Sequence, residues 1–166
     1  MKTIFALFIL NLSVYAQITI KPGLEISKSH NYHWNNGFSG EVHWNEFPYI
    51  SGRIKFLSSQ LGSALNSYAL EEDYYLASVN FFSRPETWFN PYLEIETGYF
   101  TTHIPEKEFS YLETSSQIFN VQLGIRSHLQ KIPLGVDLYL GYHLIQSANN
   151  LFPAFTGMRF WYAFNI

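Results

Sequence analysis

Along most of this chain, apolar and polar side chains alternate one by one, the signature of extended strands whose two faces meet different surroundings, and not the period of about 3.6 of a helix. The alternation returns eight times. It predicts strands over residues 18–27, 39–47, 52–61, 73–84, 91–101, 118–128, 134–145 and 156–166, each nine to twelve residues long. The expected class is therefore all-β, with strands long enough to cross a bilayer at a tilt, which takes about 9 to 11 residues. Residues 58–71 are ambiguous, because Leu61, Leu65 and Leu70 also fall on helical spacing. A helix there would leave only seven strands, so the segment reads as the end of the third strand followed by a loop.

The connections alternate as well. Those at 48–51, 85–90 and 129–133 are short and carry Pro48, Pro85 and Pro133, whereas those at 28–38, 62–72, 102–117 and 146–155 are longer and polar. Short turns at one end and long loops at the other are the plan of an eight-stranded antiparallel up-and-down transmembrane β-barrel, with the long loops outside the cell. An even strand number places both chain ends on the short-turn, periplasmic side.

The two faces can be written out. The outward set is Ile18, Ile20, Leu24, Ile26, Val42, Trp44, Ile54, Phe56, Tyr75, Ala77, Val79, Phe81, Leu93, Ile95, Tyr99, Phe119, Val121, Leu123, Ile125, Val136, Leu138, Leu140, Tyr142, Leu144, Met158, Phe160, Tyr162, Phe164 and Ile166. It contains no charge, as expected where a lysine or arginine costs about 2 to 4 kcal/mol at the bilayer midplane. The inward set sets Lys21, Arg53, Lys55, Arg126 and Arg159 against Glu25, Glu41, Glu94, Glu96 and Asp137, five charges of each sign. Eight strands leave an interior that side chains can fill, and buried charges are tolerated only when paired. The expectation is a plugged lumen held by an ion-pair network, in which Gly23, Gly98, Gly124 and Gly141 make room for Trp161, Tyr139 and Tyr74.

Composition fits this picture. Charged residues make up 14% and aromatics 19% of the 166 residues, where a soluble domain carries about 25% charged residues. The absence of cysteine rules out disulfides and thiolate metal sites, and the net charge of −3 gives no reason to expect a nucleic-acid partner. The N-terminal Lys2, the apolar run from Ile4 to Leu12 and the small residues before Gln17 read as a secretory signal peptide, residues 1–16. The run is well short of the ~20 residues of a membrane helix. Cleavage after Ala16 would leave one barrel domain, 17–166, with a net charge of −4. A secreted lipocalin-like barrel is the competing eight-stranded fold, but its polarity is inverted, and Gly23-Leu24-Glu25 lacks the tryptophan usual near its first strand.

The whole mature chain resembles, in pattern, the small eight-stranded outer-membrane barrels of the OmpA/OmpX kind. The most specific part is Phe160-Trp161-Tyr162-Ala163-Phe164-Asn165-Ile166, which looks like the C-terminal signal read by the barrel-assembly machinery, except that such signals usually end in phenylalanine. A mature start at Gln17 resembles exported Bacteroidetes proteins. The resemblance implies Sec export to the outer membrane of a Gram-negative cell, a monomer among membrane lipids and lipopolysaccharide, no cofactor, and a structural or surface-interaction role.

Some barrels of this size are lipid A deacylases with a His-x-Ser pair on the penultimate strand, in which a histidine base activates a serine. The candidates here are His143 and Ser147. They lie four residues apart, about 13 Å along a strand, and Asp137 lies about 20 Å below His143 by the same rise. An orienting acid would have to come from another strand, such as Glu94 or Glu96. His30, His33 and His103 fall in outer loops without metal-ligand spacing, so no metal site is expected. Trp34, Trp44, Phe47, Tyr49, Trp88, Phe89 and Tyr92 lie near strand ends, as aromatic girdles do; Trp88-Phe89 in a short turn could instead meet a periplasmic partner.

Overall fold

The computed structural model describes residues 18–29, 34–61, 70–84, 87–103, 115–129, 132–145 and 153–166. The strands are β1 (Ile18–Ser29), β2 (Trp34–Trp44), β3 (Ile50–Leu61), β4 (Leu70–Phe82), β5 (Phe89–His103), β6 (Ser115–His128), β7 (Leu134–Ile145), β8 (Ala154–Tyr162) and β9 (Phe164–Asn165). Each pairs antiparallel with its neighbour in the chain, and β1 pairs with β2 on one side and with β8 and β9 on the other, so the sheet closes. Strands β8 and β9 are one strand in a single register, from Gly23↔Trp161 to Thr19↔Asn165. The break falls where Pro22, which has no N–H to donate, stands opposite Tyr162. Below it the last residue ties to the start of β1, Ile166 N donating to Ile18 O at 2.9 Å. The result is an eight-stranded barrel with a nick in its closing strand.

The second strand starts five residues before its expected beginning. Asn35, Asn36 and Gly37 read as turn residues, yet they complete the ladder opposite β1 (Asn35↔Ser27, Gly37↔Glu25). The pairing partner overrides their weak β-propensity. Of segment 58–71, Ser58 to Leu61 and Leu70 to Glu71 belong to β3 and β4 and pair with each other; residues 62–69 lie outside the described residues, as does the expected signal peptide. A bulge in the β6–β7 ladder pairs Phe119 with Ile145 but Asn120 with His143. The extra residue lets both Leu144 and Ile145 face outward while His143 turns in.

Every described residue of the outward set has its side chain on the outer wall, and the inward charges are in the lumen. Lys28 and Asp73 do face outward, but at the long-loop rim, where Lys28 Nζ lies 5.1 Å from the Trp34 ring. There a charge can reach water. Tyr92 departs from its expected place in the girdle: it is lumenal and 3% exposed.

The glycines of the inner face are used differently from expectation. Four of them face aromatic rings directly across a ladder: Tyr92 covers Gly124, Trp161 covers Gly135, Phe155 covers Gly141 and Tyr139 covers Gly157. A Cβ on any of the four would sit within 2.4 Å of a ring atom. At Gly23 the neighbours are Arg159 and the Phe160 carbonyl, and at Gly98 the backbone of β4. Tyr74 packs instead beside Leu57, Leu76, Phe100 and Ile118, an apolar cluster inside the barrel toward the long-loop end.

Candidate functional site

Among the described residues, buried polar chemistry concentrates in the lumen, where it is built as two layers. In the lower layer, toward the chain ends, Glu41 is the hub. It accepts from Arg53 (Nη2, 2.7 Å), from both terminal nitrogens of Arg126 (2.7 Å each) and from Arg159 (Nη1, 2.9 Å), and Lys21 Nζ stands 3.6 Å away. Asp137 is the second acceptor. It receives Arg126 Nε and Nη2 at 2.8 Å, Arg53 Nη2 at 3.0 Å and the Trp161 indole N–H at 2.8 Å, with Arg159 Nη1 3.5 Å off. The Arg126 guanidinium lies against the Phe82 ring at 4.6 Å and the Trp161 ring at 5.2 Å.

In the upper layer the stoichiometry reverses. Lys55 Nζ sits 2.6 Å from Glu96, 3.0 Å from Glu94 and 3.2 Å from Glu25. Glu94 joins the layers, because it also accepts Arg53 Nη1 at 2.9 Å and the Ser78 hydroxyl at 2.5 Å. Tyr139 donates to Glu25 at 2.7 Å and Asn120 to Glu96 at 2.6 Å. All ten charged residues read as inward thus meet in one network, each within 3.6 Å of an opposite charge. The charges balance in sum but not in place: lower-layer cations outnumber carboxylates, and the upper layer has one lysine among three carboxylates.

An eleventh charged side chain was missed by sequence reasoning. Glu72 is 4% exposed and accepts from the Tyr74 hydroxyl at 2.5 Å, above the apolar cluster. Its strand was expected to begin at residue 73. The signal available was phase, since Glu72 shares the parity of Tyr74 and Leu76.

His143 faces the upper lumen, its ring 4.6 Å from that of Phe155. Its Nδ1 contacts Asn120 Oδ1 at 2.6 Å, and Asn120 in turn reaches Glu96. An acid from another strand therefore does approach the histidine, through an amide. Ser147, His30 and His33 lie outside the described residues, and so does the His103 side chain. The void bounded by His143, Glu25, Lys55 and Tyr139 measures about 20 Å³, room for about one water and none for an acyl chain. Among the described residues no group of three or more metal-ligating side chains forms.

A larger cavity also lies inside the barrel. About 400 Å³ opens at the end carrying the chain termini, over Lys21, Arg126 and Trp161. Between it and the upper void the network of guanidiniums and carboxylates fills the bore.

No protein-family model and no curated protein matches the chain. Solved structures do. Neisserial surface protein A matches at a TM-score of 0.55 with 12% identity, over 89% of this chain and 94% of that one. The N-terminal β-barrel domain of Pseudomonas aeruginosa OprF matches at 0.55 with 10% identity, over 90% and 99%. The outer membrane protein OprG of the same organism matches at 0.55 with 9% identity, over 91% and 97%. At such identities the likeness is one of fold: this chain is built as the small eight-stranded barrels of bacterial outer membranes are built.

Proposed function

We propose that the protein is an outer-membrane barrel that works as a sealed scaffold, with the four connections that follow β1, β3, β5 and β7 carrying a structural or surface-interaction role. One observation carries this reading: an apolar wall, whose described charges stand only at the long-loop rim, surrounds a lumen filled by paired charges. In water that arrangement is inside out, since it exposes the apolar side chains and buries the ionic ones. In a bilayer both faces are satisfied. A filled bore speaks for scaffolding over solute diffusion, and the Neisserial neighbour is itself named a surface protein.

The rest of the life cycle follows from the same reading. Residues 1–16 direct Sec export, the closing strand presents Phe160 to Ile166 to the barrel-assembly machinery, and the mature monomer sits among outer-membrane lipids and lipopolysaccharide. The test is fractionation of cells producing the full chain, followed by gel mobility with and without boiling. Recovery in the outer-membrane fraction, a heat-dependent mobility shift and a mature N-terminus at Gln17 are expected. A periplasmic protein without a shift would overturn the proposal. The lipid A acyl pattern should be the same with and without the protein, and bilayer recordings should show no steady conductance.

A further inference from the structure

The basin at the chain-end mouth of the barrel has no part in the scaffold reading, and its lining is one-sided. Its volume of about 400 Å³ falls in the range of small-molecule sites, roughly 300 to 1,000 Å³. Among the described residues, the titratable side chains that line it are Lys21, His43, Arg126 and His128, with no carboxylate among them. Glu41 and Asp137 stand behind these cations, committed to Arg53, Arg126 and Arg159. Lys21 is the loosest member of the network. Its carboxylate contact is 3.6 Å long, and its ammonium lies 5.1 Å over the Trp161 ring, at the basin wall.

The neutral polar groups lean the same way. Asn90 and Asn165 both line the basin, and each has its side-chain oxygen engaged, by Arg84 N at 3.0 Å and by the Thr19 hydroxyl at 2.9 Å. Their NH2 donors are what remains for a ligand. Cations and donors converging on a low-dielectric bowl focus a positive potential into it.

We infer that this basin is a binding site for a phosphate-bearing molecule, with Lys21 as its principal ionic contact, Asn90 and Asn165 as donors, and Trp161 as an apolar wall for the substituent the phosphate carries. A bare oxyanion would leave most of the space unused. The same chemistry is offered by a soluble phosphate ester and by an anionic phospholipid headgroup at the rim.

The test uses the full mature chain refolded into phosphatidylcholine nanodiscs, with the indole N–H resonance of Trp161 as reporter because that group donates to Asp137 beneath the basin. In one arm glycerol 3-phosphate is titrated; in the other, phosphatidylglycerol replaces part of the disc lipid. A saturable shift is expected in at least one arm, with half-saturation near or below about 1 mM, a modest affinity of about −4 kcal/mol. A shift with the soluble ester assigns a solute site, and a shift with phosphatidylglycerol alone assigns a headgroup site. Lys21→Gln should weaken the response about tenfold, the scale of one charge-assisted hydrogen bond. Lys28→Gln, on the outer wall at the opposite rim, should leave it unchanged. Heat-dependent mobility confirms that both variants are folded. No saturable shift in either arm, or equal responses from Lys21→Gln and the parent chain, would overturn the inference. Neither result bears on where the protein resides or on what its outer connections do.

Discussion

The two layers of the lumen use the same chemistry in opposite proportions, and the difference shows how a charged core can be closed at one end and receptive at the other. Below, four cations share Glu41 and Asp137, with Glu94 lent from above, and the surplus positive charge faces an open basin. Above, Lys55 serves Glu25, Glu94 and Glu96, and the surplus negative charge is covered by Leu57, Leu76, Phe100 and Ile118. A surplus that meets water or a ligand is cheap to keep. A surplus under an apolar lid is costlier, and donors offset it only in part: Tyr139 and Asn120 each reach one oxygen, of Glu25 and Glu96, and the second Glu25 oxygen is buried without a hydrogen bond.

The sharpest way to break the comparison is at the lower hub. Glu41→Gln leaves three guanidiniums and an ammonium with Asp137 as their nearest remaining lower-layer acid. Removing one member of a buried ion pair costs about 3 to 5 kcal/mol, and here one carboxylate serves several partners. The variant is expected to lose the heat-modifiable band or to unfold at much lower urea than the parent.

Lys55→Met should come next. It removes the single cation of the upper layer but leaves Glu94 with Arg53, Glu25 with Tyr139 and Glu96 with Asn120. The expected loss is about 3 kcal/mol, read as a lower urea midpoint. If it proved more damaging than Glu41→Gln, the ranking of the lower hub above the upper cation would be wrong.

The outer wall offers a control that touches neither layer. Leu140 is 57% exposed and sits midway along β7 with no charge near it. Leu140→Lys is expected to cost about 2 to 4 kcal/mol in a bilayer while leaving the lumen intact. The penalty should shrink when the barrel is held in a thin detergent micelle, which a lumenal variant would not show.

How much of this was legible beforehand depends on which physics sets each feature. Faces were legible, because a period of two fixes the side of every residue once one is known, and all ten inward charges are lumenal for that reason. Pairings were not. Arg126 reaches Glu41 across the bore, 85 residues away, through strand tilt and stagger that no single strand encodes. The upper apolar cluster was hidden because Leu57, Leu76, Phe100 and Ile118 interrupt the alternation with apolar side chains on the polar face. Tyr92 was misplaced by residue type: a tyrosine near a strand end suits a girdle, but Gly124 opposite leaves a slot that its ring fills. The basin was illegible, since His43 and His128 come from opposite parts of the ring and meet only after closure.

The smallest effect is the most discriminating. Glu96→Gln removes one carboxylate from the upper layer, where the negative charge is in excess, and keeps a side chain of the same shape. Lys55 retains Glu25 and Glu94, and the new amide can still accept from Asn120 through its oxygen. Only one charge-assisted contact is lost, worth about 1.5 to 3 kcal/mol, and relief of repulsion among the three carboxylates offsets part of it. The same isosteric change at Glu41 removes the negative charge that all three guanidiniums share and turns one accepting oxygen into an NH2 facing their N–H groups. Urea midpoints for the two variants, measured in the same detergent, should therefore be far apart, and near-equal losses would show that the layers are not distinct in the way their charge counts imply.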